Sequence, residues 1–158
     1  MPFIHLTTFI AAPRERVFDL SRSVDLHRSS MSHYGEKAVG GVMSGLVKEG
    51  DTITWQARHL NKERQLEIKI TGYSKPDFFI DEQVKGDFVL FKHEHYFKEI
   101  ENGTIMIDQL RFESPYGFWG RLVNRFYLEK YITRLLEQRN AAIKKASEGN
   151  QWKQFLSQ

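Results

Sequence analysis

The sequence predicts an α+β domain in which an antiparallel sheet packs against one long C-terminal helix. Three observations point there. From Asp51 to Glu113 apolar residues recur with a period of two, interrupted at Lys75-Pro76-Asp77, Lys85-Gly86-Asp87 and Glu101-Asn102-Gly103, which are turn signals between strands of a meander. Residues 118–147 contain no proline and only Gly120, and their apolar residues fall at helical spacing. Before the meander, one alternating segment runs into Ala12-Pro13.

Taken in order, Phe3 to Ile10 alternates as a strand with Ile4, Leu6, Thr8 and Ile10 on one face. Pro13 ends it and suits the first turn of a helix over 13–20, whose apolar face is Val17, Phe18 and Leu20. A second short helix covers Val24 to Ser30. Residues 35–50 hold Gly35, Gly40, Gly41, Gly45 and Gly50 and read as a glycine-rich loop, a mobile edge of a cavity. Gly35 and Gly40 have the spacing of a phosphate-binding loop, but Gly41 and Val42 stand where that loop needs Lys and Ser or Thr.

In the meander, Ile53, Trp55, Ala57 and His59 share a face, and Leu66, Ile68 and Ile70 share another. Strands over 78–84, 88–98 and 104–113 continue the pattern. An apolar sheet face of this size needs a partner. The long helix supplies it through Leu128, Tyr131, Ile132, Leu135, Leu136, Ala142, Ile143 and Ala146, which fall on one stripe. Phe118, Trp119, Leu122, Val123, Phe126 and Tyr127 cluster on the opposite side. With Tyr116 they form a patch that reads three ways: a portal for an apolar ligand, a homodimer contact, or core beneath a bent helix.

Length and composition bound the function. A chain of 158 residues without internal repeats makes one domain, expected over residues 1–147, with 148–158 as a C-terminal tail. Hydrophobic residues are 41%, aromatics 13% and charged residues 27%, with twelve Phe, rings that fill cores and also line ligand cavities. The absence of cysteine excludes disulfides, thiolate nucleophiles and zinc–thiolate sites, and fits a reducing compartment. Met1-Pro2-Phe3-Ile4-His5 lacks a basic n-region, and His5, Thr7 and Thr8 interrupt any apolar signal segment, so the expected location is the cytoplasm. Runs such as Phe88 to Phe91 are far too short to span a bilayer. The net charge of +3 is dispersed among acidic neighbours, which argues against nucleic acid as a partner.

The order strand, two short helices, glycine-rich segment, meander and long helix resembles the START-like helix-grip superfamily, also called SRPBCC or the polyketide cyclase/dehydratase group. The resemblance is carried by Ala12-Pro13 with Val17-Phe18-Asp19-Leu20, by Gly41-Val42-Met43-Ser44-Gly45, by Phe91-Lys92-His93-Glu94-His95-Tyr96-Phe97, and by Gly103-Thr104 to Asp108 leading to Pro115-Tyr116-Gly117. It implies a strongly curved sheet wrapped around the C-terminal helix and a tunnel for a small hydrophobic ligand, such as a lipid or polyketide. Some members of that superfamily are enzymes and many are binding modules, so function does not follow from fold. No cofactor is implied.

His93 and His95 lie two apart on a strand and share a face with Phe91 and Phe97, whereas Lys92, Glu94 and Lys98 take the other. Counting across the turn at Asn102-Gly103 places His93 opposite Asp108, flanked by Met106, Leu110 and Phe112. Such a His–Asp pair orients a general base, or supplies ligands to a metal together with His59, or hydrogen-bonds the polar end of a ligand, or is a satisfied cross-strand pair. The first use corresponds to a cyclase, dehydratase or hydrolase. The binding use assigns the cavity to Trp55, His59, Phe91, His93, His95, Phe97, Met106, Asp108, Leu110, Phe112, Leu128, Ile132 and Leu135, with Trp55 chiefly packing the core.

Overall fold

In a computed structural model of the chain, residues 2–114 and 127–156 are described. Strand β1 (Phe3–Ile10) leads into helix α1 (Arg14–Ser21) and helix α2 (Val24–Ser30). A 3-10 turn at Ser32–Tyr34 precedes β2 (Lys37–Gly41), β3 (Thr52–His59), β4 (Lys62–Ser74), β5 (Phe78–Lys85), β6 (Leu90–Ile100) and β7 (Gly103–Glu113). Helices α3 (Glu129–Glu148) and α4 (Trp152–Leu156) follow. The strands form one curved antiparallel sheet in the order β1-β7-β6-β5-β4-β3-β2.

Local chemistry sets these boundaries. Pro13 is not in the first turn of α1 but is its N-cap, in extended conformation. Ser23 caps α2 by accepting the Leu26 N–H at 3.1 Å. Strands β3 and β4 join through Leu60-Asn61, both left-handed at φ 54° and 62°, the conformation that matches the twist of a two-residue hairpin. Bulges in β4, between Glu67 and Ile68 and between Ile70 and Gly72, bend the sheet.

The glycine-rich segment is not wholly loop. Lys37–Gly41 pairs with β3, Lys37 facing Gln56 and Gly41 facing Ile53. Gly41 has φ +67°, and a side chain there would meet the Thr52 carbonyl oxygen, so glycine is what lets this edge strand lie so close. Strand β4 starts at Lys62, well before Leu66, because polar Lys62, Glu63 and Arg64 still pair with β3. In the long helix, residues 127 and 128 form a wider turn before α3 begins. The aromatic patch at Tyr116, Phe118, Trp119, Leu122, Val123 and Phe126 lies outside the described residues.

Two apolar clusters hold the layers together. Phe18, fully buried on α1, meets Tyr73, Phe79 and Phe97 edge-on at 5.6, 5.7 and 5.1 Å between ring centroids. Met106, Ile10 and, from α3, Ile143 and Ala146 complete that cluster. The second joins Ile4, Leu110 and Phe112 of the sheet to Ile132 and Leu136 of α3. Residues 148–158, expected as a tail, contain α4, whose Trp152, Phe155 and Leu156 pack on the first cluster. The Arg16 guanidinium lies 4.0 Å from the centre of the Trp152 ring. Among the described residues no helix is long and apolar enough to cross a membrane.

Candidate functional site

Between the two clusters the concave face of the sheet and α3 stand apart and leave a cavity of about 440 Å³, within the size of small-molecule sites. Of the residues assigned to it from the sequence, Trp55, His59, Phe91, His93, His95, Leu110, Leu128, Ile132 and Leu135 line it. Phe97, Met106, Asp108 and Phe112 do not. Phe97 and Met106 are consumed by packing around Phe18, and Phe112 belongs to the second cluster. Asp108 is fully buried behind the histidines.

The register of β6 on β7 explains where Asp108 sits. Its partner is His95, and His93 faces Leu110, because Ile100 pairs with Gly103 and only Glu101 and Asn102 form the loop. The expected pairing was therefore off by two residues. A shift of two keeps every side chain on its face, and diagonal neighbours remain within reach, so His93 Nε2 still meets Asp108 Oδ1 at 2.8 Å.

Arg139 and Asn140 of α3 complete the cluster from above. Arg139 Nη1 donates to Asp108 Oδ1 at 3.3 Å and to Asn140 Oδ1 at 3.0 Å. Asn140 Nδ2 donates to Asp108 Oδ2 at 2.8 Å. Arg139 Nη2 lies 3.2 Å from His95 Nδ1. A guanidinium only donates, so Nδ1 of His95 accepts and its proton is on Nε2. That nitrogen is 2.7 Å from Asp81 Oδ2 on β5. His95 is thus a neutral bridge between Arg139 and Asp81, stacked between the rings of Phe79 at 4.1 Å and His93 at 3.7 Å.

Charge follows from these bonds. Burial pushes the Asp108 carboxyl up, but the His93 hydrogen bond and the Arg139 charge outweigh it and hold Asp108 well below the usual carboxylate range. Asp81 is shifted the other way, raised by burial. His95 is held well below its ordinary value, first by burial and then by the charges of His93 and Arg139. His93 lines the cavity, and its Nδ1 has no hydrogen-bond partner among the described residues.

Asp81, His93 and His95 each offer a ligand atom within 4.8 Å of the others, and in this arrangement His93 Nε2 is bonded to Asp108, His95 Nε2 to Asp81 and His95 Nδ1 to Arg139. The two imidazoles are stacked 3.7 Å apart with 27° between their planes. A guanidinium also occupies the space beside His95. His59 is apart from this group, its Nδ1 2.8 Å from the Tyr131 hydroxyl, and burial lowers its pKa. A further pair, His27 Nε2 and Glu36 at 2.7 Å, lies against Trp55, the imidazole 4.5 Å from the indole.

Sequence reasoning did not single out Asp81, Arg139, Asn140, His27 or Glu36. A signal was present for two of them. Arg139 falls on the stripe of Ile132, Leu136 and Ile143, where a charged residue is out of place on a core-facing helix. Asp81 alternates with Phe79 on β5 in the same way.

No protein-family profile and no curated protein matches the chain. Solved structures do. A protein of Thermus thermophilus superposes with a TM-score of 0.71 at 17% identity, over 92% of this chain and 99% of that one. A START superfamily protein of Mycobacterium smegmatis gives 0.70 at 12% identity, over 92% and 97%. The major latex-like protein 151 of Panax ginseng gives 0.69 at 11% identity, over 94% and 98%. With its seven-stranded curved sheet closed by a C-terminal helix, the chain has the START-like helix-grip fold.

Proposed function

We propose that the protein binds a small, mainly apolar molecule in the cavity and reads one polar group on it through His93 and Asp81. The observation that carries this reading is the contrast within one space of about 440 Å³. Its walls are chiefly aliphatic and aromatic, from Ile53, Ile68, Ile70, Phe91 and Leu136 among others, whereas its buried end presents an imidazole nitrogen and a carboxyl oxygen. An apolar pocket with a few fixed polar groups binds by excluding water and orients by hydrogen bonds. Fixed groups that are already bonded to Asp108 and His95 need no reordering when a ligand arrives.

Mouth and interior differ in a way that fits entry of such a molecule. Leu60, Tyr127 and the ion pair of Arg64 with Asp87, 2.8 Å apart, line the cavity, and Leu60 and Tyr127 are solvent-exposed. A lipid, polyketide or similar molecule is the class proposed.

Native mass spectrometry of gently purified protein and displacement of 1-anilinonaphthalene-8-sulfonate by fatty acids, sterols and aromatic polyketides test the reading. Ala57→Phe, which puts a ring into the space, is expected to weaken probe binding at least about tenfold, the worth of one clash of roughly 1.4 kcal/mol. Absence of both a retained ligand and any displacing compound refutes it, as does unchanged binding to a folded Ala57→Phe variant.

A further inference from the structure

We propose that the cavity holds a second polar subsite at Ser114, so that its ligand is a slender apolar molecule with an oxygen at each end, a hydroxyl held by His93 and a hydroxyl or carbonyl held by Ser114. This rests on the cavity being a ligand site, and it adds the length of the ligand and the chemistry of its far end.

One buried hydroxyl in the cavity wall has no partner. Ser114 is 5% exposed and lines the cavity, and its Oγ makes no hydrogen bond among the described residues. Its direction follows from β7. Thr104, Met106, Asp108, Leu110 and Phe112 are all buried, in alternation along the strand, and the Glu113 carbonyl still accepts the Val89 N–H at 2.7 Å, so Ser114 continues the inward row. A hydroxyl withdrawn from water loses the hydrogen bonds it made in the unfolded chain and recovers them only from a new partner. A ligand oxygen entering the space in front of Ser114 is that partner. Because a hydroxyl both donates and accepts, a hydroxyl or a carbonyl satisfies it.

At the other end the bonds of His93 leave one position open. Asp108, contacted by Arg139 and Asn140 at 3.3 and 2.8 Å, accepts from His93 Nε2 at 2.8 Å. That leaves the Nδ1 lone pair to accept a hydroxyl proton from the cavity.

Two rulers in the protein give the spacing of the ends. On β7, His93 faces Leu110, and Ser114 is four residues further on, about 13 Å at about 3.3 Å per residue. On α3, Arg139 and Tyr131 both line the cavity and stand eight residues apart, about 12 Å along the helix axis. Between the ends the wall is apolar, with Phe91, Leu110, Ile132 and Leu135. An extended chain advances about 1.2 Å per bond, as three backbone bonds spanning at most about 3.6 Å show. About eleven bonds therefore cover the distance, the oxygen-to-oxygen path of an α,ω-diol of about ten carbons.

The test uses α,ω-diols from 1,6-hexanediol to 1,14-tetradecanediol, each beside the 1-alkanol of the same length, in displacement of 1-anilinonaphthalene-8-sulfonate. Dividing the Kd of the alkanol by that of the diol removes the general rise of affinity with chain length. In the wild-type protein this ratio should peak at about ten carbons. In Ser114→Ala the peak should vanish and the ratio for 1,10-decanediol should fall at least about tenfold, because the second hydroxyl is then left unpaired in an apolar space. The variant should be no less stable than the wild type in urea, since it removes a buried hydroxyl that the chain does not satisfy. A ratio that is flat with length in the wild type needs no variant to overturn the subsite. A peak that survives Ser114→Ala overturns it as well, and so does a loss of stability in that variant, the sign of a hydroxyl already bonded to ordered water. Alkanols that displace the dye while the diols show no length preference overturn this inference and leave the binding reading intact, whereas no displacement by alkanols, diols, fatty acids, sterols or polyketides overturns both.

Discussion

Arg139→Met tests the electrostatic account at its centre. The substitution keeps an unbranched chain of similar reach, so packing against α1 changes little, but it removes the one permanently charged cation within reach of Asp108 among the described residues. Asp108 is fully buried. Removing one partner of a buried ion pair costs about 3–5 kcal/mol. Because His93 and Asn140 still contact the carboxylate, both at 2.8 Å, the expected loss is at the lower end, about 3 kcal/mol at pH 7. At about 2–4 °C per kcal/mol for a chain of this size, the melting temperature falls by about 6–12 °C. Urea denaturation gives the free energy directly. A lowered folded-state pKa means that the contribution of Asp108 is present above its unfolded value near 3.9 and is lost as pH falls below it. The penalty for Arg139→Met should therefore shrink on acidification beneath pH 4. In the double variant with Asp108→Asn the two costs should fall short of their sum, by up to about 3 kcal/mol for groups in one network. A loss under about 1 kcal/mol at pH 7, or simple additivity, refutes the claim that the guanidinium holds Asp108 ionised.

Phe18→Ala should destabilise by about 3–5 kcal/mol in the same denaturation experiment, because a fully buried ring in contact with three others leaves a cavity that rigid neighbours cannot fill. Leu60→Asn should stabilise by about 1 kcal/mol, since Leu60 holds φ 54° in the β3–β4 turn and a left-handed conformation costs most residues roughly 1–2 kcal/mol; a neutral or negative effect would count against the turn geometry. By nitrogen-15 NMR, His95 should stay neutral with its proton on Nε2 from pH 8 to pH 5.5, and a midpoint near 6.5 would contradict its burial between Phe79 and His93. The same lowered pKa means that unfolding takes up a proton as pH drops below about 6.5, so stability declines by up to about 1.4 kcal/mol per pH unit from this group. His95→Gln should lose that contribution to the slope.

The fold was readable because its strongest signals are local. The period of two from Asp51 to Glu113, the prolines and glycines between strands, and the helical stripe from Leu128 to Ala146 each report on a neighbourhood of a few residues. Strand β2 was hidden for a physical reason: Ala38, Gly40 and Gly41 have too little side chain to show alternation, yet that smallness is what lets the edge lie against Thr52 and Thr54. The candidate site was half readable. His93, His95 and Asp108 stand on one face by strand periodicity alone, and that survives a two-residue change of register. Asp81 and Arg139 approach from other elements, and which residues of β5 and α3 meet β6 is decided by sheet order and helix placement, which no local pattern records. Phe97 and Met106 were assigned to the cavity because periodicity identifies the inner face but not where along that face packing ends and open space begins.

Strand β1 pairs with β7, whereas β2 lies at the far edge of the sheet. The hairpins from β3 to β7 close over short turns, but β1 must find a partner about two thirds of the chain away, with Phe3 facing Arg111. Loop-closure entropy rises with such separation, and distant pairings form late. Contact order thus favours assembly of the meander before β1 docks on β7, a docking that brings α1 and Phe18 onto the concave face. Until then the walls of the cavity are an open, greasy trough, so a nascent chain at that stage is most exposed to chaperones and to self-association. On that order the closing of the cavity comes last.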